Sequence, residues 1–408
     1  MIIPQEGVDD LGQSAEATIT FLRYKIEIGY RSDTSFPASL ELITEELEHI
    51  KRRDAAKRLR FPHSASTWRN SVLKGRRTAR FISTSSEGND RIIVLSQDGK
   101  GGRPKSLLAK NLPRTILSTV NAIESPTALL ARREMQSWRL LQLEPSALRQ
   151  PDEFTTPPGL QPDGSHLPST LYYLARAFEK TNGENSGLGA SWVYDQVASR
   201  LSELIDDVYE LSIDRDEKRQ LLTLQVGERD GTTYPGRSLS DGTLRFLALA
   251  VLDIDPTASG VICMEEPENG IHPDRIPAIL RLLQDIACNV ENPVGPDNPL
   301  RQVIVNTHSP VVVNQVPDDS LLVAESKQLL KNGQRVKGVH FSWLPDTWRV
   351  EAEPDIHPVS RGKLLSYLSP ISAIYTLTQE EKRRKTRRVV DRQDLSQISF
   401  IADLKPND

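Results

Sequence analysis

The sequence predicts an α/β protein whose second half contains a largely parallel sheet. Between residues 240 and 325, segments with helical spacing of apolar residues alternate with short apolar runs. The predicted helices are residues 244–252 and 275–290, and the predicted strands are residues 261–264, 302–306 and 321–324. Alternation of helices with short buried strands is typical of a parallel sheet covered by helices.

The first 110 residues predict a different, mainly β structure. Residues 17–31 alternate apolar and polar positions and are rich in β-branched and aromatic types, which predicts a strand. Residues 39–50 fit both a strand and a helix. Residues 91–96 and 105–109 predict two strands of a hairpin, joined by a glycine-rich turn at 98–102.

The middle of the chain predicts helices, most clearly at residues 127–143 and 167–180. Two further strands are predicted at residues 209–213 and 221–226. We therefore divide the chain into a β-rich N-terminal lobe (1–114), a helical region (115–207), an α/β lobe (208–325) and a C-terminal extension (326–408).

The composition is that of an ordinary globular protein. Of 408 residues, 38% are hydrophobic and 26% are charged, and the net charge is −4. The two cysteines, Cys263 and Cys288, are too few and too far apart for a disulfide scaffold or a cysteine metal site. No apolar run is long enough to cross a membrane, so we expect a soluble, cytoplasmic protein without a membrane partner.

Positive charge is concentrated in two places. Residues 51–114 hold 17 lysines and arginines against four acids, an excess of 13, and a second basic run covers residues 381–388. Because basic patches can follow a phosphate backbone, both are candidate DNA contacts. The alternative is a solvated surface, or a basic face that docks against the acidic remainder of the protein.

Two adjacent carboxylates follow the predicted strand at 261–264. They are Glu265 and Glu266, and the chain then turns through residues 267–270. Open α/β sheets place ligands at the carboxyl ends of their strands, and two acids buried together are costly unless a cation or a polarised water compensates. In nucleotide hydrolases one such carboxylate helps to hold Mg²⁺ and the next orients the attacking water. Glu265 is thus the candidate metal ligand and Glu266 the candidate base, and a solvated acidic loop is the alternative.

A second segment, residues 238–245, reads Ser-Leu-Ser-Asp-Gly-Thr-Leu-Arg and opens onto a predicted helix. Ser240 can cap that helix, whose free N–H groups and positive dipole end attract anions. Gly242 lets the backbone approach a phosphate because it has no Cβ. Taken alone, the segment predicts only an ordinary helix cap.

A third segment, residues 303–310, ends a predicted strand at Thr-His-Ser-Pro. We expect its strand to lie beside the strand that carries Glu266, where the imidazole of His308 can contact the γ-phosphate of a nucleotide. A single histidine in such a place is more often structural. The order and spacing of all three segments favour the functional interpretation.

Together the three motifs resemble the ABC-type ATPase heads of the SMC/RecF-like class, and most closely the bacterial AAA family ATPases with such a head. The resemblance covers residues 115–325 and, more weakly, residues 17–110. It implies an α/β fold of the P-loop NTPase type, ATP and Mg²⁺ as cofactors, and a homodimer or heterodimer of heads that sandwiches two nucleotides. ATP binding closes such a dimer, hydrolysis opens it, and the motion is passed to DNA or to a partner protein.

The resemblance also implies roles for the residues that bind nucleotide across the dimer. The signature motif, which contacts the γ-phosphate held by the opposite protomer, corresponds to Ser240, Asp241 and Gly242. The D-loop region corresponds to Asn269 and His272.

The catalytic residues follow from the same resemblance. Glu265 matches the Walker B acid, as a glutamate where many heads have aspartate. Glu266 matches the catalytic glutamate, and His308 matches the switch histidine.

One element of the family has no match in the sequence, namely its phosphate-binding loop, Gly-x-x-x-x-Gly-Lys-Ser/Thr. One partial match is residues 99–106, where Pro104 stands in place of the second glycine. Proline removes an N–H that would cradle phosphate, and this stretch links two predicted strands, whereas a phosphate loop opens a helix. We therefore expect the loop to lie in a segment that precedes this sequence.

Three functions are compatible with this pattern. The first is ATP binding and hydrolysis, completed by the absent loop. The second is a subunit that naturally lacks the loop, scaffolds a partner or binds DNA, and offers its signature motif to a loop-bearing protein. The third is a metal nuclease centred on Glu265, Glu266, Glu268, Asp318 and Asp319, which is disfavoured because no spaced set of acids stands out after residue 324.

Overall fold

The structure is a computed structural model that describes residues 1–33, 36–88, 90–98, 103–186, 189–331, 334–360 and 362–364. The chain divides into two compact units, Met1–Val316 and Pro317–Asp408, which we describe separately. The basic run at 381–388 and most of the turn at 98–102 lie outside the described residues. The four-part division made from the sequence stays a prediction.

The first unit begins with a β-rich lobe, in which alternating apolar positions give each strand one face for the core. A hairpin comes first, formed by β1 (Glu6–Val8) and β2 (Ser14–Glu16). An antiparallel sheet follows in the order β3 (Leu22–Asp33), β4 (Phe36–His49), β5 (Ile82–Glu87), β6 (Asp90–Leu95) and β7 (Lys105–Leu108). Two short helices, α1 (Ala55–Arg58) and α2 (Trp68–Val72), connect β4 to β5.

The mainly β structure predicted for this lobe is confirmed. The ambiguous segment 39–50 belongs to β4, so its helical interpretation is wrong. Leu42 and Leu47 are buried along this strand, whereas Leu40 is exposed. β6 and β7 pair antiparallel, which confirms the hairpin predicted from 91–96 and 105–109.

The middle of the unit contains helices and two short strands. In chain order they are α3 (Pro126–Gln136), β8 (Arg139–Leu141), α4 (Pro145–Leu148), β9 (Asp152–Glu153), α5 (Leu167–Ser186) and α6 (Ser191–Ser202). The helix predicted at 127–143 is therefore wrong beyond Gln136, because the chain leaves the helix and β8 pairs parallel with a strand of the second half. Tertiary pairing overrides the local helical pattern here.

The last part of the unit builds two sheets around a buried helix. Its elements are β10 (Val208–Asp216), β11 (Leu221–Glu228), β12 (Thr233–Pro235), α7 (Asp241–Ile254), β13 (Gly260–Glu265), α8 (Ile276–Ile286), β14 (Arg301–Asn306) and α9 (Pro310–Gln315). The first three form an antiparallel sheet that β9 joins beside β11. β13 lies between β14 and β8 in a parallel sheet, which confirms the parallel arrangement predicted for 261–264 and 302–306.

Only one face of this parallel sheet is buried among the described residues. Ile262 and Met264 point into the core that contains α7 and α8. On the opposite face Leu140, Cys263 and Ile304 align in one row across the three strands, and Leu140 and Ile304 are 50% and 48% exposed. Parallel sheets are ordinarily covered on both faces, so we call this row the bare face.

The second unit contains β15 (Val323–Lys331), β16 (Gln334–Ser342) and α10 (Trp348–Ala352). β15 and β16 form an antiparallel hairpin. The strand predicted at 321–324 overlaps the start of β15, and its predicted place in the parallel sheet is wrong because β15 pairs with β16. β16 follows β15 directly in the sequence, so this pairing closes a much shorter loop than pairing with the parallel sheet would. None of the described helices, in either unit, is both long and apolar enough to span a bilayer.

Candidate nucleotide-binding site

The acidic motif and the histidine motif meet at one edge of the parallel sheet. β13 and β14 pair in register as far as Glu265 and Asn306. Beyond that point the Glu266 N–H donates to the Asn306 carbonyl at 2.8 Å, and the His308 N–H donates to Glu266 Oε1 at 2.7 Å. Backbone hydrogen bonds therefore place the candidate base beside the candidate switch histidine.

Glu266 has a backbone conformation that few residues other than glycine adopt. Its φ is +45°, in the left-handed region, which costs about 1–2 kcal/mol for a residue with a Cβ. The bond to Asn306 holds this conformation, as does the Asn269 N–H, which donates to the Glu266 carbonyl at 3.0 Å. Backbone strain of this kind clusters at functional sites, and here it accompanies the turn that brings the carboxylate to the loop after β14.

The candidate metal ligand lies on the wall of a cavity of about 320 Å³ at the same edge. The lining of this cavity includes Gln142, Arg245, Glu265, Glu266 and Asn269. Mg²⁺ prefers hard oxygen ligands, binds proteins through one or two carboxylates, and keeps several waters or substrate phosphates. The carboxylate and amide oxygens of this wall fit that preference.

Gln142 is a residue of this cavity that the sequence analysis missed. It follows β8, which the helical spacing of its neighbours assigned to a helix. Because β8 runs parallel to β13, its carboxyl end opens at the same edge as Glu265. A polar residue directly after the short apolar run Leu140-Leu141 is the signal that could have identified it.

The signature segment reaches the same region through the start of α7. The Ser240 hydroxyl accepts a hydrogen bond from the Thr243 N–H at 3.2 Å, which confirms the predicted cap. Gly242 packs against the loop after β13, and a Cβ at this position would lie 2.2 Å from the Gly270 carbonyl oxygen. A contact between two protein segments therefore requires glycine at position 242, whatever its role toward phosphate.

Two arginines hold the signature segment in place. Arg149 donates to Asp241 Oδ1 at 2.6 Å. Arg245 donates to the Leu143 carbonyl at 3.1 Å and to the Asn269 carbonyl at 2.9 Å. Arg149 and Asp241 are 92 residues apart in the sequence, and Arg245 and Leu143 are 102 residues apart. No local sequence pattern predicts these two bonds.

The remaining predicted site residue, His272, is exposed and is not among the residues that line the cavity. Its Nδ1 accepts a hydrogen bond from the Asp274 N–H at 3.3 Å and caps a short 3₁₀ turn before α8. Within the part of the chain that the structure describes, no group of three or more histidine, cysteine or acidic side chains is arranged to hold a metal ion. The functional roles of all these residues stay predictions.

A parallel sheet whose central strand ends in paired carboxylates, beside a strand that ends in a histidine loop, defines an α/β fold of the P-loop NTPase type. Over residues 21–314 the chain matches the family described as "AAA domain, putative AbiEii toxin, Type IV TA system". That match covers well over half of the 408 residues, and the chain belongs to this family. The fold class and the family predicted from the motifs are thereby confirmed.

Comparison with solved structures finds similarity to SMC head domains. The Smc head of Pyrococcus furiosus, with an extended coiled coil and bound to the C-terminal domain of ScpA, is 7% identical, with 79% of this chain and 97% of that chain covered and a TM-score of 0.30. The SMC head of Thermotoga maritima is 12% identical, with 78% and 98% covered and a TM-score of 0.26. The Smc head of Pyrococcus yayanosii, with a coiled coil and joint, is 9% identical, with 40% of this chain and 28% of that chain covered and a TM-score of 0.25. The chain therefore spans little over a quarter of that protein's length. The comparison with curated proteins found no match.

Proposed function

We propose that this chain is one catalytic half of an ATPase head, which binds and hydrolyses ATP with Mg²⁺ and with a second polypeptide segment. The hydrogen bond between the His308 N–H and the Glu266 carboxylate, at the edge where Glu265 faces a cavity, carries the proposal. Membership of an AAA family supports the ATPase class. A base, a phosphate-contacting group and a metal ligand on one sheet edge are three of the parts that ATP hydrolysis requires.

In the proposed reaction Glu266 is the general base. Its carboxylate accepts a proton from the attacking water, and the His308 N–H keeps that carboxylate oriented. The His308 imidazole contacts the γ-phosphate. Glu265 and Gln142 would hold Mg²⁺, which would neutralise charge on the phosphate oxygens.

The signature segment, residues 240–242, acts on a nucleotide held by the opposite head. It stands at the N-terminus of α7, where free N–H groups and the helix dipole favour a phosphate. Arg149 pairs with Asp241 and offsets a negative charge that would oppose phosphate there. Asn269 and His272 lie on the loop after β13 and complete the surface between two heads. ATP therefore draws two heads together, as a homodimer or a heterodimer.

We propose the bare face as the place where a phosphate loop docks. β8, β13 and β14 follow one another across the sheet in one direction. Crossovers between parallel strands are right-handed, so the connection from β8 to β13 and the connection from β13 to β14 lie on the same face of the sheet. A strand added at the free edge of β14 and followed by a helix that runs back toward β8 moves in the opposite direction, so a right-handed crossover places that helix on the other face, which is the bare face. Strand, loop and helix in that order are the elements of a phosphate-binding loop. We propose that a second, loop-bearing segment supplies them in the functional assembly.

The thiol of Cys263 tests this arrangement. On the 408-residue chain alone we expect N-ethylmaleimide to modify Cys263, because it lies half-buried on the bare face. In the native assembly the covering helix should protect it. Cys288 is the reference, since burial raises the pKa of its thiol and Trp68 Nε1 donates to its sulfur at 3.3 Å, so it should react slowly in both samples.

Cross-linking from Cys263 in the native assembly then identifies what covers the face. A peptide adjoining a Gly-x-x-x-x-Gly-Lys-Ser/Thr sequence would support the arrangement. Equal modification rates in the two samples, or a cross-linked peptide without that sequence nearby, would contradict it.

The activity itself is tested by measuring MgATP binding and phosphate release, for the chain alone and for the loop-bearing assembly. We expect hydrolysis only from the complete assembly, because the 408-residue sequence contains no Gly-x-x-x-x-Gly-Lys-Ser/Thr motif to cradle the phosphates. An assembly that protects Cys263 but neither binds nor hydrolyses ATP would exclude the ATPase function while leaving the docking arrangement intact.

A second candidate function is DNA contact through the basic region 51–114. A cavity of about 370 Å³ is lined mainly by basic residues, Lys51, Lys57 and Arg58 among them, together with the acids Glu48 and Asp54. Glu48 already pairs with arginines. Among the described residues no ion pair joins a carboxylate to Lys51, Lys57 or Arg58, so their charges are available to phosphate groups.

Replacing Lys57 and Arg58 together by glutamate is expected to weaken binding to a short DNA duplex and to reduce its salt dependence. Each lost phosphate contact lowers the slope of log K against log salt by about 0.9. Titration of the duplex at several salt concentrations measures both effects. Glutamate at Arg335 and Lys337, exposed in the second unit, is the matched control. An equal loss in both variants would place the binding surface elsewhere.

A further inference from the structure

We propose that Glu268 and Thr307 form a positioning pair that holds the loop after β14 in place, so that the His308 N–H meets the Glu266 carboxylate. The inference rests on the proposed roles of Glu266 and His308, but its geometry does not depend on them. Neither member of the pair is a catalytic residue in this proposal. Each acts through the loop that carries His308.

The hydroxyl of Thr307 links the two loops at the sheet edge. It donates to Glu268 Oε1 on the loop after β13, and it accepts a hydrogen bond from the Ser309 N–H at 3.0 Å. The Ser309 hydroxyl in turn caps α9 by accepting from the Val312 N–H at 3.4 Å. Residue 308 is therefore held between two neighbours whose positions depend on one buried carboxyl group.

Glu268 is a costly residue to place here. It is 6% exposed, and its Oε2 atom is buried with no hydrogen-bond partner among the described residues. Burial raises the pKa of Glu268 above its ordinary value, the Thr307 hydroxyl opposes that shift, and the nearby Glu266 carboxylate adds to it. A second carboxyl group beside the candidate base therefore carries an electrostatic cost in addition to its desolvation cost.

The cost argues against a role in packing alone. An apolar residue of similar volume would fill the same space without a desolvation penalty. What an apolar residue cannot do is accept a hydrogen bond from Thr307. The link to the loop after β14 is thus the property that the glutamate supplies.

Native-state hydrogen exchange of the 408-residue chain tests the pair without any nucleotide. Thr307→Val keeps the shape of the side chain but removes the hydroxyl, and with it the bonds to Glu268 and to the Ser309 N–H. The His308 amide should therefore exchange at least about tenfold faster, the factor expected for the loss of one hydrogen bond. Thr307→Ser keeps the hydroxyl and should leave that amide slow. The amides of Ile262 and Val303, in the middle of β13 and β14, should not change in either variant.

A second pair of variants approaches the link from the other side. Glu268→Gln retains an acceptor oxygen and should preserve slow exchange at His308. Glu268→Leu removes the acceptor and should accelerate exchange at His308, by no more than Thr307→Val does, because the bond from the Ser309 N–H to the Thr307 hydroxyl remains. An unchanged His308 amide in Thr307→Val would overturn the proposal. Equal acceleration at His308, Ile262 and Val303, or loss of the folded state in both Thr307→Val and Glu268→Leu, would assign the pair to general stability and would overturn it too. Because ATP hydrolysis is not measured, failure of the ATPase proposal leaves this result unaffected.

Discussion

Replacing Glu266 by glutamine is expected to lower ATP hydrolysis by the complete assembly by about 10²- to 10⁴-fold, the usual contribution of a general base. Nucleotide binding should persist. The glutamine side chain retains a carbonyl oxygen that can still accept the His308 N–H bond, now 2.7 Å long to Glu266 Oε1. The loop should therefore keep its shape and lose only its ability to take a proton from water.

Two measurements separate this result from a structural defect. Phosphate release reports the loss of hydrolysis, and light scattering with and without ATP reports whether a nucleotide-bound dimer accumulates. Glu291→Gln, an exposed glutamate outside the site, is the control that should leave both unchanged. Hydrolysis within a few-fold of the unaltered protein would remove Glu266 from the role of base, and loss of nucleotide binding would show that its role is structural.

The convergence of the acidic and histidine motifs could be predicted from the sequence because it depends on strand direction alone. Two strands that run parallel end at the same edge, so the residues that follow them become neighbours, as Glu266 and His308 do here. The cap by Ser240 could be predicted for a similar reason, since a helix N-terminus is a local structure.

The parts that could not be predicted depend on contacts between distant residues. The run that contains Leu140 has helical spacing, and only its pairing with β13 makes it a strand. Missing that strand also meant missing Gln142 at its end. From the sequence, Arg149 and Arg245 are indistinguishable from other surface arginines. Their hydrogen bonds form only when the signature segment folds against segments about a hundred residues away.

The reason why position 242 requires glycine differs between the sequence and the structure. From the sequence, its missing Cβ allows the backbone to approach a phosphate. In the structure, the same missing Cβ allows the start of α7 to contact the backbone at Gly270, which itself has a φ of +83°. The two explanations predict different consequences for one substitution.

Gly242→Ala is expected to destabilise the protein by about 1–3 kcal/mol, the cost of overpacking a tight contact. Its Cβ would lie 2.2 Å from the Gly270 carbonyl oxygen, and neither group can rotate away because one is fixed to the backbone and the other is part of it. Either α7 or the loop after β13 must move. Since that loop carries Glu266 and Asn269, ATP hydrolysis by the assembly should fall as well.

Chemical denaturation of the 408-residue chain measures the stability change without nucleotide. Gly295→Ala is the matched control, because a Cβ there meets nothing within 4 Å and its free energy of unfolding should change by less than about 0.5 kcal/mol. If Gly242→Ala is as stable as the control yet the assembly no longer closes on ATP, the glycine serves the phosphate and the contact with Gly270 is incidental. If the chain is destabilised before any nucleotide is added, the glycine couples the signature helix to the loop that carries the base, and a shift in either one must displace the other.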